Sequence, residues 1–99
     1  MSEYEVLPRA AEDLFLAVQY TRDRWGDAQV DRLQNQFDRV IESLSEFPEI
    51  GRSRSDLLPG LRSMPVFRFH LLYVVENGVI VVVRFVHQKR NLTTLMFEE

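Results

Sequence analysis

The chain has 99 residues, of which 45% are hydrophobic and 27% are charged, a composition typical of one small globular domain. It contains no cysteine and two histidines, which excludes disulfides and thiolate zinc sites and leaves a poor ligand set for any transition metal. No segment approaches the ~20 apolar residues of a membrane span, and the N-terminus lacks the apolar run of a signal peptide. We therefore expect a single domain over residues 1–99, cytoplasmic and without a cofactor.

The net charge of −3 conceals an uneven distribution of charge. Residues 1–50 carry five arginines and eleven acidic residues, a balance of −6, whereas residues 51–99 carry seven basic and four acidic residues, a balance of +3. Eleven of the twelve basic residues are arginine, whose planar guanidinium suits paired contacts with carboxylates or phosphates. The basic half fits an acidic protein partner at least as well as nucleic acid, and internal pairing is the alternative for any single arginine.

The first half of the chain predicts a strand followed by two helices. Tyr4–Leu7 is the strand, and Pro8 suits the first position of the helix that follows. Glu12 and Asp13 are expected in the first turn of this helix, where the helix dipole favours acidic residues. Gly26 is expected to end the first helix, and Asp27 to cap the second.

Both helices show apolar residues at helical spacing. The stripe of the first helix comprises Ala11, Leu14, Val18 and Trp25, widened by Ala10, Phe15 and Ala17. The stripe of the second helix comprises Val30, Leu33, Phe37, Val40, Leu44 and Phe47, widened by Ile41. Two long helices joined by so few residues form an antiparallel hairpin, and such stripes more often form a core than a partner groove. Because one thin sheet covers only part of this surface, we expect Phe15 and Phe37 to contribute to an interface.

The second half predicts a loop followed by a three-stranded meander. Residues 48–60 form the loop, and Pro65 ends the first meander strand or confines it to an edge. Asn77-Gly78 predicts the turn of a β-hairpin. Both positions of a tight hairpin turn need positive φ, and asparagine and glycine adopt positive φ readily. The predicted meander strands are Leu61–Met64, Phe67–Val75 and Val79–His87. The apolar segment Leu92–Phe97 is expected to pack as an extra strand or a short helix.

The hairpin turn also predicts which residues face each other. With Asn77 and Gly78 as the two loop residues, the numbers of cross-strand partners sum to 155. Arg84 then lies opposite Leu71 on the helix-covered face, where it is a charged residue among apolar ones.

The same register places His70 and His87 with Arg68 on the opposite face, near Arg62. RNA cleavage by attack of the 2′-hydroxyl needs a base, an acid and positive charge on the phosphate, which these four residues could supply. The alternative is a sheet edge whose histidines satisfy backbone groups or stack against arginine.

Several short motifs, in this order and spacing, resemble the ParE branch of the RelE/ParE toxin superfamily of prokaryotic toxin–antitoxin pairs. The motifs are Trp25-Gly26, Pro48-Glu49-Ile50-Gly51-Arg52, Gly60-Leu61-Arg62 and Arg84-Phe85-Val86-His87. Nuclease relatives typically have an arginine where this chain has His70, and they use several lysines and a C-terminal tyrosine. Here the only lysine is Lys89, no tyrosine follows Tyr73, and Asn91 stands where members of the family often have aspartate.

The resemblance implies an α+β fold, β-α-α-β-β-β, with a helical hairpin packed on a small antiparallel sheet. It implies a non-enzymatic toxin that binds DNA gyrase, stabilises the cleaved-DNA complex and is neutralised by a ParD-like antitoxin, without sequence-specific nucleic-acid binding. The expected antitoxin or target contacts are Phe15, Phe37, Arg52, Arg62, Arg84, His87, Lys89 and Arg90. The rival interpretation is a RelE-like ribosome-dependent mRNA endonuclease that uses Arg62, Arg68, His70 and His87. A third is a degenerate member that binds antitoxin without being toxic.

Overall fold

Two helices pack on a five-stranded sheet in the computed structural model, which describes residues 4–90. The elements are β1 (Tyr4–Val6), α1 (Pro8–Trp25), α2 (Asp27–Glu46), β2 (Arg52–Ser53), β3 (Arg62–Val66), β4 (Phe69–Glu76) and β5 (Val79–His87). The strand order is β1-β5-β4-β3-β2; β1 runs parallel to β5, and every other neighbouring pair is antiparallel. The α+β class and the helical hairpin are confirmed. The predicted element at Leu92–Phe97 lies outside the described residues.

The helix boundaries follow the local signals of the sequence closely. Pro8 is the first residue of α1, and Gly26, with φ of 90°, separates the two helices in a conformation that glycine adopts easily. The prediction that Asp27 caps α2 is wrong, because Asp27 is itself helical and pairs with Arg22 at 2.9 Å. Glu12 and Asp13 lie beyond the first turn of α1, so the predicted dipole contribution is also wrong. Neither helix in residues 4–90 has the length and apolarity needed to cross a membrane.

The buried face of α1 differs from the predicted stripe. Its fully buried residues are Ala10, Ala17 and Thr21, whereas Ala11 and Phe15 are exposed. In α2 the predicted stripe is largely confirmed, with Val30, Leu33, Ile41 and Leu44 buried. Phe47 is an exception, because α2 ends at Glu46 and leaves the Phe47 side chain 60% exposed.

The predicted loop at residues 48–60 contains the short edge strand β2. Arg52 and Ser53 pair with Ser63 and Arg62 of β3. Two residues are too few to produce a periodic pattern, which is why the sequence predicted only a loop here. Within residues 4–90, β2 pairs only with Ser63 and Arg62, so no described strand pairs with β3 on that side of Pro65, where a missing N–H is tolerated.

The second meander strand begins later than predicted. Phe67 and Arg68 form the turn between β3 and β4, and Phe67 adopts a positive φ of 55°. Their predicted placement in a strand is therefore wrong. The last predicted strand, Val79–His87, is confirmed as β5.

A β-bulge divides the β4–β5 hairpin into two registers. Between the turn and the pair Tyr73↔Val82, the residue numbers of paired residues in β4 and β5 sum to 155, as predicted. The next pair is Leu72↔Arg84, so Val83 has no partner and every later pair is shifted by one residue. The predicted faces of Phe85, Val86 and His87 are wrong, because a shift of one residue turns side chains to the other face of a sheet, whereas Phe69 and Leu71 of β4 keep the predicted core face. Phe85 therefore packs in the core on the helix side.

Candidate functional site

The two histidines lie on opposite faces of the sheet. His87 pairs with Phe69, and its ring lies 5.5 Å from the Phe69 ring and 5.9 Å from the Tyr20 ring of α1. His70 pairs with Val86, whose neighbours form the smaller core on the other face. Successive residues of a strand alternate between faces, so the bulge separates the predicted histidine pair.

The two arginines of the predicted nuclease set are engaged elsewhere. The Arg68 guanidinium stacks on Trp25, with Cζ 4.4 Å from the ring centroid. Arg62 donates from Nη1 to the carbonyl oxygens of Glu49 and Gly51, at 3.0 and 2.8 Å. Arg62, Arg68 and the two histidines thus form no common site. Residues 4–90 also contain no group of three His, Cys, Asp or Glu side chains able to hold a metal.

A groove of about 470 Å³ lies between α1 and the end of β5. Leu16 and Tyr20 form its α1 side and are 53% and 43% exposed. Phe85 and His87 contribute from β5. Lys89 and Arg90 extend the lining beyond the strand, so an apolar wall adjoins a cationic one. We call this feature the α1–β5 groove.

His87 organises the basic end of the groove. Its Nδ1 accepts a hydrogen bond from the backbone N–H of Lys89 at 3.2 Å, and its carbonyl accepts one from the N–H of Arg90 at 3.0 Å. Burial lowers the pKa of His87, and the charges of Lys89 and Arg68 lower it further. A neutral imidazole is the form whose Nδ1 can accept this hydrogen bond.

A largely buried ion pair contributes to the lining of the groove. Arg84 donates from Nε to Asp13 Oδ2 at 2.7 Å and from Nη2 to Asp13 Oδ1 at 3.2 Å, and both side chains are 11% exposed. Asp13 Oδ2 also accepts a hydrogen bond from the backbone N–H of Phe85 at 3.0 Å. Asp13 was not predicted to be a partner of β5. The signal that could have revealed it was the lone arginine in an apolar strand, which needs a carboxylate when buried.

The exposed and partly buried aromatic residues of the helices lie in different surroundings. Phe15 is 62% exposed on α1. Phe37 is half-buried, contacts the rings of Tyr4 and Phe85, and lines a separate cleft of about 400 Å³ with Val18. Phe15 is therefore free to meet a partner, whereas Phe37 already contributes to the core.

Comparison with known proteins identifies the family. A sequence profile described as "ParE toxin of type II toxin-antitoxin system, parDE" matches residues 4–92, which is most of the chain. The chain belongs to the ParE toxin family. This confirms the resemblance inferred from the motifs.

This ParE family member is also similar to one curated protein in sequence and to one solved structure in fold. Toxin ParE3 of Caulobacter vibrioides is 40% identical over 65 residues, which cover 66% of this chain. The match spans 61% of the length of that relative. A solved structure described as "Chromosomal ParDE TA system from P. aeruginosa" has the same fold, with a TM-score of 0.69. The identity is 18%, and the match covers 88% of this chain and 96% of the other.

The predicted contact residues of this ParE family member fall in separate regions. Arg84, His87, Lys89 and Arg90 all line the α1–β5 groove. Arg52 and Arg62 lie on β2 and β3, which β4 separates from β5. The α1–β5 groove therefore brings together four of the eight predicted contact residues.

Proposed function

We propose that this chain is the toxin of a type II toxin–antitoxin pair that binds DNA gyrase in the cytoplasm. It stabilises the complex of gyrase with cleaved DNA, blocks replication, and catalyses no reaction itself. The observation that carries the proposal is the match of the ParE toxin family to residues 4–92.

The basic end of the α1–β5 groove is the proposed contact with the target. Lys89 and Arg90 are exposed, and they extend the lining of the groove beyond the end of β5. Gyrase bound to cleaved DNA carries a high density of phosphate, so a cationic surface aids association with it. Arg62 contributes less in this proposal, because it is already bonded to two backbone carbonyls, and Arg52 lies on β2, away from the groove.

The geometry gives little support to the rival nuclease. A general base and a general acid must both reach the reacting atoms. His70 and His87 lie on opposite faces of the sheet, as their pairing with Val86 and Phe69 requires. Neither Arg62 nor Arg68 is positioned beside both histidines, so we do not favour RNA cleavage.

We further propose that a ParD-like antitoxin covers the α1–β5 groove with an amphipathic, acidic segment. Leu16 and Tyr20 offer apolar area one helical turn apart, and the exposed Phe15 precedes Leu16 in the chain. Lys89 and Arg90 at the end of the groove attract acidic side chains. Coverage of Lys89 and Arg90 by the antitoxin would explain neutralisation, because the target uses the same residues.

The cellular effect tests the proposed target class. After induction of the toxin without its antitoxin, incorporation of labelled thymidine should fall before incorporation of labelled leucine. Arrest of leucine incorporation first, with replication continuing, would contradict a gyrase toxin and favour the nuclease.

A matched pair of variants tests the antitoxin surface. Leu16→Glu places a negative charge inside the α1–β5 groove, whereas Gln19→Glu places the same charge at another exposed position of α1. We expect Leu16→Glu to weaken binding of the ParD-like antitoxin by about tenfold or more, and Gln19→Glu to leave it unchanged. Equal affinities, measured by calorimetry, would contradict the proposed surface.

A further inference from the structure

The bulge at Val83 decides which side of the sheet carries the basic end of β5. In the observed register, His87 pairs with Phe69 and faces Tyr20 of α1. In the predicted register without a bulge, His87 would lie opposite Arg68, on the face of the sheet away from the helices. The bulge therefore keeps His87 on the α1 side, where its Nδ1 and its carbonyl accept hydrogen bonds from the N–H groups of Lys89 and Arg90.

Along the side of β5 that pairs with β1, the described pairing ends just before the bulge. Pairing with β1 ends at Val6↔Val82, and the N–H of Leu7 donates to the carbonyl of Val82 at 3.0 Å. Beyond Val82 the chain of β1 has turned into α1. The N–H of Phe85 donates instead to Asp13 Oδ2 at 3.0 Å. A side chain of α1 thus supplies the acceptor that a neighbouring strand would otherwise supply.

Asp13 performs two separable tasks at this position. It neutralises Arg84 through two hydrogen bonds, and it accepts the Phe85 N–H. The ion pair can be replaced by apolar or neutral groups of similar volume without leaving a buried charge. The backbone N–H of Phe85 cannot be removed by changing a side chain, so it needs an acceptor in every variant.

We propose that Asp13 is a positioning residue for the target-binding end of β5. It acts by accepting the Phe85 N–H, which holds the bulge and sets the register that brings Lys89 and Arg90 beside the α1–β5 groove. The ion pair with Arg84 is secondary in this role. The part of the proposal that concerns gyrase rests on the proposed function; the control of register does not.

Two double variants separate the acceptor from the ion pair. The amide variant combines Asp13→Asn with Arg84→Met, which removes both charges but keeps an oxygen for the Phe85 N–H. The leucine variant combines Asp13→Leu with Arg84→Met, which removes both charges and the oxygen while keeping four branched heavy atoms in the side chain of residue 13. The two proteins differ only at residue 13, so any difference in register reports on the acceptor.

Nuclear Overhauser contacts measure the register directly. The wild type should show contacts between the rings of Phe69 and Phe85, whose centroids are 5.0 Å apart, and between Tyr20 and His87. We expect the amide variant to retain both contacts. The leucine variant should lose both and exchange its Phe85 amide proton faster. Retention of the contacts in both variants, or loss in both, would overturn the proposal.

Deletion of Val83 provides a rescue that also applies if the leucine variant does not fold. Without Val83, regular pairing gives Arg84 opposite Leu72 and Phe85 opposite Leu71, the pairs now observed with the bulge. The deletion in the background of the leucine variant should therefore restore both contacts. A folded deletion protein without these contacts, or one that does not fold, would overturn the proposal.

A cleavage assay with purified gyrase supplies the functional readout. The leucine variant should need about tenfold more toxin than the amide variant for half-maximal DNA cleavage, as expected for one lost charged contact. Equal potency, when the wild type is active, would contradict the link to the target. If the wild type has no effect on gyrase, the proposed function fails, and the contacts seen by nuclear magnetic resonance still decide the role of Asp13.

Discussion

The phenol of Tyr73 fills the space beside Gly51 so closely that a side chain at residue 51 has no room. The Tyr73 hydroxyl donates to the carbonyl of Pro48 at 2.7 Å and accepts from the N–H of Gly51 at 3.0 Å. A Cβ atom at residue 51 would lie 2.7 Å from Tyr73 Cε1. The Pro-x-x-Gly motif thus attaches the loop after α2 to the middle of β4.

Gly51→Ala should destabilise the fold through this contact. Tyr73 is fully buried and cannot rotate away, so we expect a loss of about 1–3 kcal/mol in the free energy of unfolding, as for other overpacked sites. Urea denaturation followed by the fluorescence of Trp25 measures the change. Gly78→Ala meets no atom within 4 Å but carries the penalty of a positive φ of 78°, which residue 51 does not have, so its cost reports a backbone effect without a contact. An unchanged stability for Gly51→Ala would contradict the described fit.

Arg84→Ala should destabilise the protein far more than removal of a surface charge. It leaves the Asp13 carboxylate, which is 11% exposed, without its cation. Removing one partner of a buried pair typically costs about 3–5 kcal/mol, and the residual exposure places this pair at the lower end. Lys89→Ala, in contrast, should change the free energy of unfolding by less than about 0.5 kcal/mol, because Lys89 is an exposed surface residue. Similar effects of the two substitutions in urea denaturation would refute this assignment.

Acidification should destabilise the protein through its two histidines. Burial lowers the pKa of His70, with a further contribution from Arg54, and burial followed by Lys89 and Arg68 lowers the pKa of His87. Between the lowered pKa values and the ordinary 6.5, the unfolded chain binds more protons than the folded one, so stability rises with pH. The contribution is complete above about pH 6.5 and is lost as the pH falls from there to the lowered values.

Urea denaturation at about pH 7.5 and about pH 5.5 measures this dependence. The double variant His70→Gln and His87→Gln should show a smaller loss of stability over this interval than the wild type. An equal loss in both proteins would mean that other groups cause the dependence.

No RNA cleavage should accompany toxicity. His70 stands where nuclease relatives have arginine, and the bulge separates it from His87. Primer extension on mRNA from a translation extract should show no toxin-dependent 5′ ends. Specific cuts that disappear in both His70→Ala and His87→Ala would instead support the RelE-like mechanism.

The basic end of the α1–β5 groove should control potency against the target. The double variant Lys89→Ala and Arg90→Ala removes two cations that line the groove. If each contact contributes roughly 1.5–3 kcal/mol, potency in gyrase-dependent DNA cleavage should fall by about two orders of magnitude. The double variant Arg32→Ala and Arg39→Ala on the exposed surface of α2 changes the net charge equally and should retain potency. Equal losses in both would indicate a non-specific charge effect.

The sequence predicted the features that depend on neighbouring residues. Pro8, Gly26 and the Asn77-Gly78 turn act within a few residues of themselves, so both helices and the start of the hairpin were placed correctly. The bulge at Val83 was not predicted. Next to the bulge, the N–H of Phe85 donates to Asp13, which lies 72 residues earlier in the chain.

The error in the candidate site has the same origin. One unpaired residue in β5 reversed the faces of Phe85 and His87, so the predicted cluster with His70 does not form. Arg62 shows a second limit, since its two bonds to loop carbonyls depend on the path of residues 49–51. The residue types alone do not distinguish a structural arginine from one that contacts a partner.

The most direct test of the proposed function is plasmid cleavage by purified gyrase in the presence of the wild-type toxin, freed of antitoxin. The proposal predicts that linear DNA trapped in the gyrase complex accumulates with toxin concentration, and that a stoichiometric amount of the antitoxin prevents it. Unchanged supercoiling and unchanged cleavage, with a toxin that still arrests growth, would contradict it.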